Sequence, residues 1–119
     1  LFQLNNINRI VITKDITKKE KMILDTHGVK YYGDEIDNEN AFYDSIPIIR
    51  NVKGVFSTDT SLLHLSANLG ALTYAILTVG CEWRWTRDLK TNWYPNTIIL
   101  RQTTVGNWSN VIKDIMKIV

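Results

Sequence analysis

Phe56-Ser57-Thr58-Asp59-Thr60-Ser61-Leu62-Leu63-His64-Leu65-Ser66-Ala67-Asn68-Leu69-Gly70 is the stretch whose reading decides the fold. It reads as a buried strand that breaks sharply into a helix, with Asp59, Thr60 and Ser61 at the break. The leading N–H groups of a helix have no acceptor inside it, and they carry the positive end of the helix dipole. Such a break offers a seat for a phosphate or pyrophosphate. Asp59 and Thr60 equally suit plain helix capping, worth about 1 kcal/mol, and the local sequence leaves both roles open. Gly70 supplies the stop.

Working outward, Gly54-Val55-Phe56-Ser57 is the strand that feeds this helix, and Leu72-Thr73-Tyr74-Ala75-Ile76-Leu77-Thr78 the strand that follows it. Upstream, Arg9-Ile10-Val11-Ile12-Thr13 is a β-branched run suited to burial on both faces. Thr17-Lys18-Lys19-Glu20 matches a capping box, which predicts a helix from Lys18 to Thr26 ended by His27-Gly28. Val29-Lys30-Tyr31-Tyr32 reads as a second strand. Gly33 to Asn40, with four acids, reads as a solvated loop. A helix is predicted from Ala41 to Asn51, with Phe42, Ile46, Ile48 and Ile49 inward and a kink or split at Pro47.

Downstream, a long connection from Val79 to Asn96 is dense in Trp, Arg and Tyr, and Thr97-Ile98-Ile99-Leu100-Arg101 is a fifth strand. The last helix, Trp108 to Ile118, carries Val111, Ile112, Ile115, Met116 and Val119 at spacings of three and four. Strands alternating with helices predict an α/β fold, a Rossmann-like doubly wound parallel sheet of about five strands with helices on both faces. Residues 1–8 read as a connector or edge segment and residues 9–119 as one domain. The chain opens on Leu1 without an initiator Met, so a piece of a longer protein is expected.

The bulk composition narrows the function classes. Among 119 residues, 45% hydrophobic and 22% charged content is that of an ordinary globular domain. A net charge of +2, spread along the chain, gives no footprint for nucleic acid. No apolar run reaches membrane-spanning length. The single cysteine, Cys81, forbids an internal disulfide, and a cytoplasmic location is expected. Dinucleotide GxGxxG, P-loop and nucleophile-elbow patterns are absent, and two isolated His with one Cys do not make a zinc site.

In an open parallel sheet, ligands sit beyond the carboxyl ends of the strands. Lys14 follows the first strand there, as a phosphate ligand or as a solvated lysine. His64 lies one turn beyond Thr60 on the same helix face, either toward a diphosphate oxygen or packed and satisfied internally. In Cys81-Glu82-Trp83-Arg84-Trp85 and Asn92-Trp93-Tyr94-Pro95, the tryptophans either seal the end of the sheet or form a stacking wall for a base or sugar. Arg84 and Arg87 suit phosphate or ordinary pairing with Glu82 and Asp88.

Taken in order, the Phe56–Gly70 stretch, Glu82-Trp83-Arg84-Trp85, Asn92-Trp93-Tyr94-Pro95, Leu100-Arg101-Gln102 and Gly106-Asn107-Trp108 resemble one family. It is the C-terminal domain of heptosyltransferase-like bacterial glycosyltransferases, in the version often fused behind tetratricopeptide repeats. Phe42-Tyr43-Asp44-Ser45 and Thr13-Lys14-Asp15 resemble further blocks of that family, so the likeness runs from about Arg9 to Val119. Thr13 stands where the family usually has Gln, Glu82 where it has Asp, and Ala71 where it commonly has Lys.

The resemblance implies the nucleotide-sugar donor lobe of a two-lobed, metal-independent, inverting enzyme of GT-B fold. It carries Asp59, Thr60, Ser61 and His64 to the donor diphosphate or sugar and Lys14 to phosphate charge; on the stacking reading of the loop, Trp83, Arg84 and Trp85 are the donor-pocket wall. His64 is the one catalytic candidate. The implied substrate is a nucleotide-diphosphate sugar with no separate cofactor or metal. The implied partner is an N-terminal acceptor lobe, with tetratricopeptide repeats in some relatives, without which the chain has little turnover of its own. The alternative is a non-catalytic Rossmann-like binding or interaction module.

Overall fold

The computed structural model describes residues 7–85 and 87–119, so most of the expected 1–8 connector and Thr86 of the Trp-rich loop lie outside the described residues. The chain is α/β, in the order β1 (Ile10–Val11), α1 (Lys18–Thr26), β2 (Lys30–Tyr31), α2 (Ser45–Asn51), β3 (Val55–Thr58), α3 (Ser61–Asn68), β4 (Thr73–Leu77), β5 (Thr97–Arg101) and α4 (Ser109–Ile118). All described strand pairing within these elements is parallel. The strands form a two-stranded sheet, β1-β2, and a three-stranded sheet, β3-β4-β5, in place of the single sheet of about five expected from the alternation. The chain divides into two compact units, the first running to Ser45 and also including Val119, the second from Ile46 to Ile118.

In the first unit the capping box closes as the sequence predicts. Thr17 Oγ1 accepts from the Glu20 amide at 3.2 Å, while Glu20 Oε2 accepts from the Thr17 amide at 2.7 Å. Side-chain and backbone hydrogen bonds from Thr17 hold the Glu20 carboxyl below its ordinary range. Gly28, at φ +62°, ends α1. There the Val29 amide reaches back to Leu24 O and the Gly28 amide to Asp25 O, and Leu24 and Val29 are buried. That is the Schellman stop, which needs a left-handed residue that glycine adopts without a Cβ clash.

The 33–40 segment is more than a solvated loop. Asp37, at φ +52°, accepts at Oδ1 from the amides of Asp44 (2.7 Å) and Ser45 (3.2 Å) and at Oδ2 from the Ser45 hydroxyl. The Asp37 amide in turn donates to Asp44 Oδ2 at 2.8 Å. A carboxylate thus caps the start of α2 from eight residues upstream of Ser45. This corrects the expected helix start: residues 41–44 form a turn, with Phe42 at φ +66°, and the helix begins at Ser45. Pro47 then falls in the first turn, where its missing N–H has no intrahelical acceptor to lose, so neither kink nor split is needed.

In the second unit the registers Val55↔Thr73↔Thr97 and Leu77↔Arg101 bring the carboxyl ends of β3, β4 and β5 to one edge. Alternate side chains feed two cores. Ala75, Leu77 and Ile99 cluster with Leu63 of α3 and with Trp85, while Tyr74 and Leu100 cluster with Val111 and Ile115 of α4. The helices therefore cover opposite faces of this sheet, as the period of two dictates. Gly70, at φ +74°, closes α3 by the same stop as α1, with Ala71 N–H to Ser66 O and Gly70 N–H to Ala67 O. Of the apolar residues spaced along the last helix, Val111 and Ile115 are buried, while Ile112, Met116 and Val119 remain exposed.

Burial raises the Asp37 pKa, but hydrogen bonds from the Ser45 side chain and from the Asp44 and Ser45 amides, with Lys14 nearby, outweigh it. The net position is below the ordinary 3.8. A depressed carboxylate stabilises the fold above its unfolded value, and that contribution is lost as the pH falls through the folded value. Asp37→Ala is expected to destabilise the first unit by about 1–3 kcal/mol at neutral pH. Asp37→Asn keeps the shape without the charge. In denaturant melts at a series of pH values, its deficit relative to wild type should shrink as the pH drops below 3.8.

Candidate functional site

The candidate site gathers at the carboxyl edge of the three-stranded sheet, where β3 passes into α3. Thr60 is the N-cap of α3, extended at φ −136°, ψ 166°, and its carbonyl accepts the first helical bond from His64 N–H at 3.3 Å. Its side chain makes no capping bond; it meets the Ser57 hydroxyl at 3.0 Å instead. The capping role that the sequence left open to Thr60 is thus not taken by its hydroxyl. The amides of Ser61, Leu62 and Leu63 lie ahead of the first intrahelical acceptor at the positive end of the helix.

Asp59 does not cap either. Its Oδ2 accepts from Trp85 Nε1 at 2.8 Å, and its Oδ1 lies 3.2 Å from His64 Nε2. The other imidazole nitrogen, His64 Nδ1, lies 2.8 Å from the Tyr94 hydroxyl. The ring of His64 stacks on Trp85 with centroids 5.6 Å apart and planes 24° from parallel. Both ring nitrogens of His64 are therefore committed inside the protein. A carboxylate and an imidazole engaged in this way are not themselves donors to a phosphate.

The tryptophans of the Trp-rich loop divide between core and surface. Trp85 is 2% exposed and packs with Leu63, Ala75, Leu77 and Ile99, so it plugs the core. The Arg101 guanidinium donates to Trp85 O at 3.0 Å and to Cys81 Sγ, which ties the plug and the start of its loop to the end of β5. Trp83 and Trp93 are 73% and 56% exposed and meet edge to face at 5.7 Å. Arg84 pairs with Glu82, its guanidinium 5.7 Å from the centre of the Trp83 ring. Thr91 Oγ1 donates to Arg84 O and accepts from the Trp93 amide, joining the two limbs of the loop.

Lys14 belongs to the first unit, where its ammonium donates to Ile36 O (2.6 Å), Asp37 O (3.2 Å) and Asn38 Oδ1 (3.1 Å). Those three bonds use every N–H of the ammonium. Two surface depressions also lie in this unit, one lined by Glu35, Glu39 and Asp44, the other by Val11, Ile16, Ile23 and Leu24. The acidic lining of the first is unsuited to an anion, and the second offers no cation.

Sequence reasoning named Asp59, His64 and Trp85 but not their partners. Tyr94 and Arg101 were both inside recognised blocks, yet nothing local marks a tyrosine as the partner of a histidine 30 residues away. Comparisons of the chain with protein-family models, with curated proteins and with solved structures found no match. No helix among the described residues is long and apolar enough to cross a membrane.

Asp59→Ala would leave the buried Trp85 indole N–H without an acceptor, which costs about 1–3 kcal/mol. The expected result is faster amide exchange across residues 85–94 with β4 and β5 still protected. Equal exchange in the variant and the wild type would show that the loop is held by packing alone.

Proposed function

We propose that the chain is the nucleotide-sugar-binding lobe of a metal-independent, inverting glycosyltransferase, with the donor diphosphate seated at the N-terminus of α3. The observation that carries this reading is the turn itself. It lies at the carboxyl edge of a parallel sheet, Thr60 leaves the leading amides without a side-chain cap, and Asp59 is engaged by Trp85 and His64. Helix N-termini of this kind hold phosphates through backbone N–H groups and the dipole. Thr60 and Ser61 add hydroxyls, both on exposed residues.

In this reading Trp83 and Arg84 form the wall against the base or sugar, while Trp85 supports it from the core. The fuller fold that goes with it is one doubly wound sheet of about five strands. The acceptor site and the lobe that carries it are then partners of this chain. A second reading, a non-catalytic interaction module, is favoured by the exposed Trp83–Trp93 pair, since aromatic residues concentrate at protein interfaces.

Ser61 allows a selective test, because proline at the first helical position is tolerated and removes one N–H. Thr60 is already extended, as a residue before proline must be. Titrating the chain with UDP-, GDP- and ADP-glucose at millimolar concentration should move amide resonances at residues 59–64. Ser61→Pro should weaken binding about tenfold relative to Ser61→Ala, the loss expected for one hydrogen bond to a charged group. No shifts at residues 59–64 with any of the three would overturn the reading.

A further inference from the structure

We propose that Asp59, His64 and Tyr94 form an activated-hydroxyl array in which the Tyr94 phenol oxygen is a general base toward a hydroxyl group of a bound substrate. The geometry is a carboxylate, an imidazole and a phenol in sequence: Asp59 Oδ1 is 3.2 Å from His64 Nε2, and His64 Nδ1 is 2.8 Å from the Tyr94 oxygen. The carboxylate beside Nε2 favours the tautomer with the proton on that nitrogen. In that tautomer Nδ1 presents a lone pair, and the phenol is the donor in the His64–Tyr94 bond. The phenol oxygen is left with its acceptor capacity free and with its proton already directed at a base.

Three features hold the array. The second oxygen of Asp59 is fixed by the indole N–H of Trp85, itself buried. The imidazole is stacked on Trp85, with Tyr94 tilted against both rings. His64 is carried by α3, the helix whose first turn follows Asp59. Tyr94 keeps partial solvent access, whereas Trp85 has almost none. The logic is that of any nucleophile or base backed by an imidazole which a carboxylate orients.

The assignment of a substrate hydroxyl rests on the glycosyl-transfer reading; the activation of Tyr94 does not. In the transfer step the phenol proton moves to His64 Nδ1 as the phenol oxygen takes the proton of the incoming hydroxyl. That hydroxyl oxygen forms its bond to the anomeric carbon, and the bond from that carbon to the diphosphate breaks, its electron pair leaving with the diphosphate. His64 becomes an imidazolium facing the Asp59 carboxylate and later returns its proton to water. Asp59 and His64 are positioning residues in this scheme; only Tyr94 touches the substrate.

The test is made without any nucleotide, so that it is independent of donor binding. The chain is treated with an arylsulfonyl fluoride, and labelled tyrosines are followed with time by peptide mass spectrometry. Attack by an activated phenol on sulfur expels fluoride, and the phenol proton passes to His64. Tyr43, which is 73% exposed, is the internal reference for an unactivated phenol. Tyr94 is expected to label at least about tenfold faster than Tyr43, and His64→Gln to remove that advantage while leaving Tyr43 unchanged. Labelling of Tyr94 no faster than Tyr43, or unaltered by His64→Gln, overturns the proposal. Should the variant fail to fold, nitrogen NMR of the His64 ring in the wild-type chain decides: an unprotonated Nδ1 supports the array and a neutral ring protonated at Nδ1 overturns it. Fast labelling of Tyr94 without donor-induced shifts would retain the array and discard the glycosyltransferase reading.

Discussion

The hydrogen bond from the buried Trp85 indole to the Asp59 carboxylate is the constraint on which the carboxyl edge of the second unit's sheet depends. An indole N–H taken out of water must find an acceptor, and a carboxylate beside the strand-to-helix break supplies one. That single choice withdraws Asp59 from capping. It also sets a negative charge beside His64 Nε2 and brings the 81–94 loop onto the start of α3. Arg101 reinforces it by holding the carbonyl of Trp85 from the last residue of β5.

The division of labour in the Trp-rich loop follows from the same economy of burial. One tryptophan is buried with a polar partner inside the protein; two remain at the surface against each other. The loop thus plugs the core with one residue and leaves an aromatic pair at the surface. The first unit uses a comparable device: Asp37 gathers amides of a turn and a helix start, and Lys14 donates to the oxygens around it. In both units a carboxylate in a connection does the organising, where composition alone reads only a polar loop.

What could be read in advance was whatever is encoded within a few residues. The capping box and the glycine stop bound α1 at Lys18 and Thr26, and the β-branched run bounds β5 at Thr97 and Arg101. The start of α2 could not be read this way, because its cap comes from Asp37, on the far side of a turn. At the site, Thr60 and His64 were legible as neighbours, since four residues bring them onto one helical turn. Tyr94 was not, since its place beside His64 depends on how an 18-residue connection folds.

The sequence by itself determined the order and kind of the elements, the parallel direction of the strands and the position of the strand-to-helix break. Period-two and period-3.6 patterns, caps and glycine stops are local signals, and local signals survive without knowledge of the fold. Tertiary structure alone decided how the strands are shared between sheets and which side chains answer one another across long separations. It turned Asp59 from a cap into the acceptor of a buried indole and left the first turn of α3 without a side-chain cap. The physical reason is burial: a polar group that loses water takes whatever partner the packing brings within reach, and only the folded chain brings Trp85 and Tyr94 there.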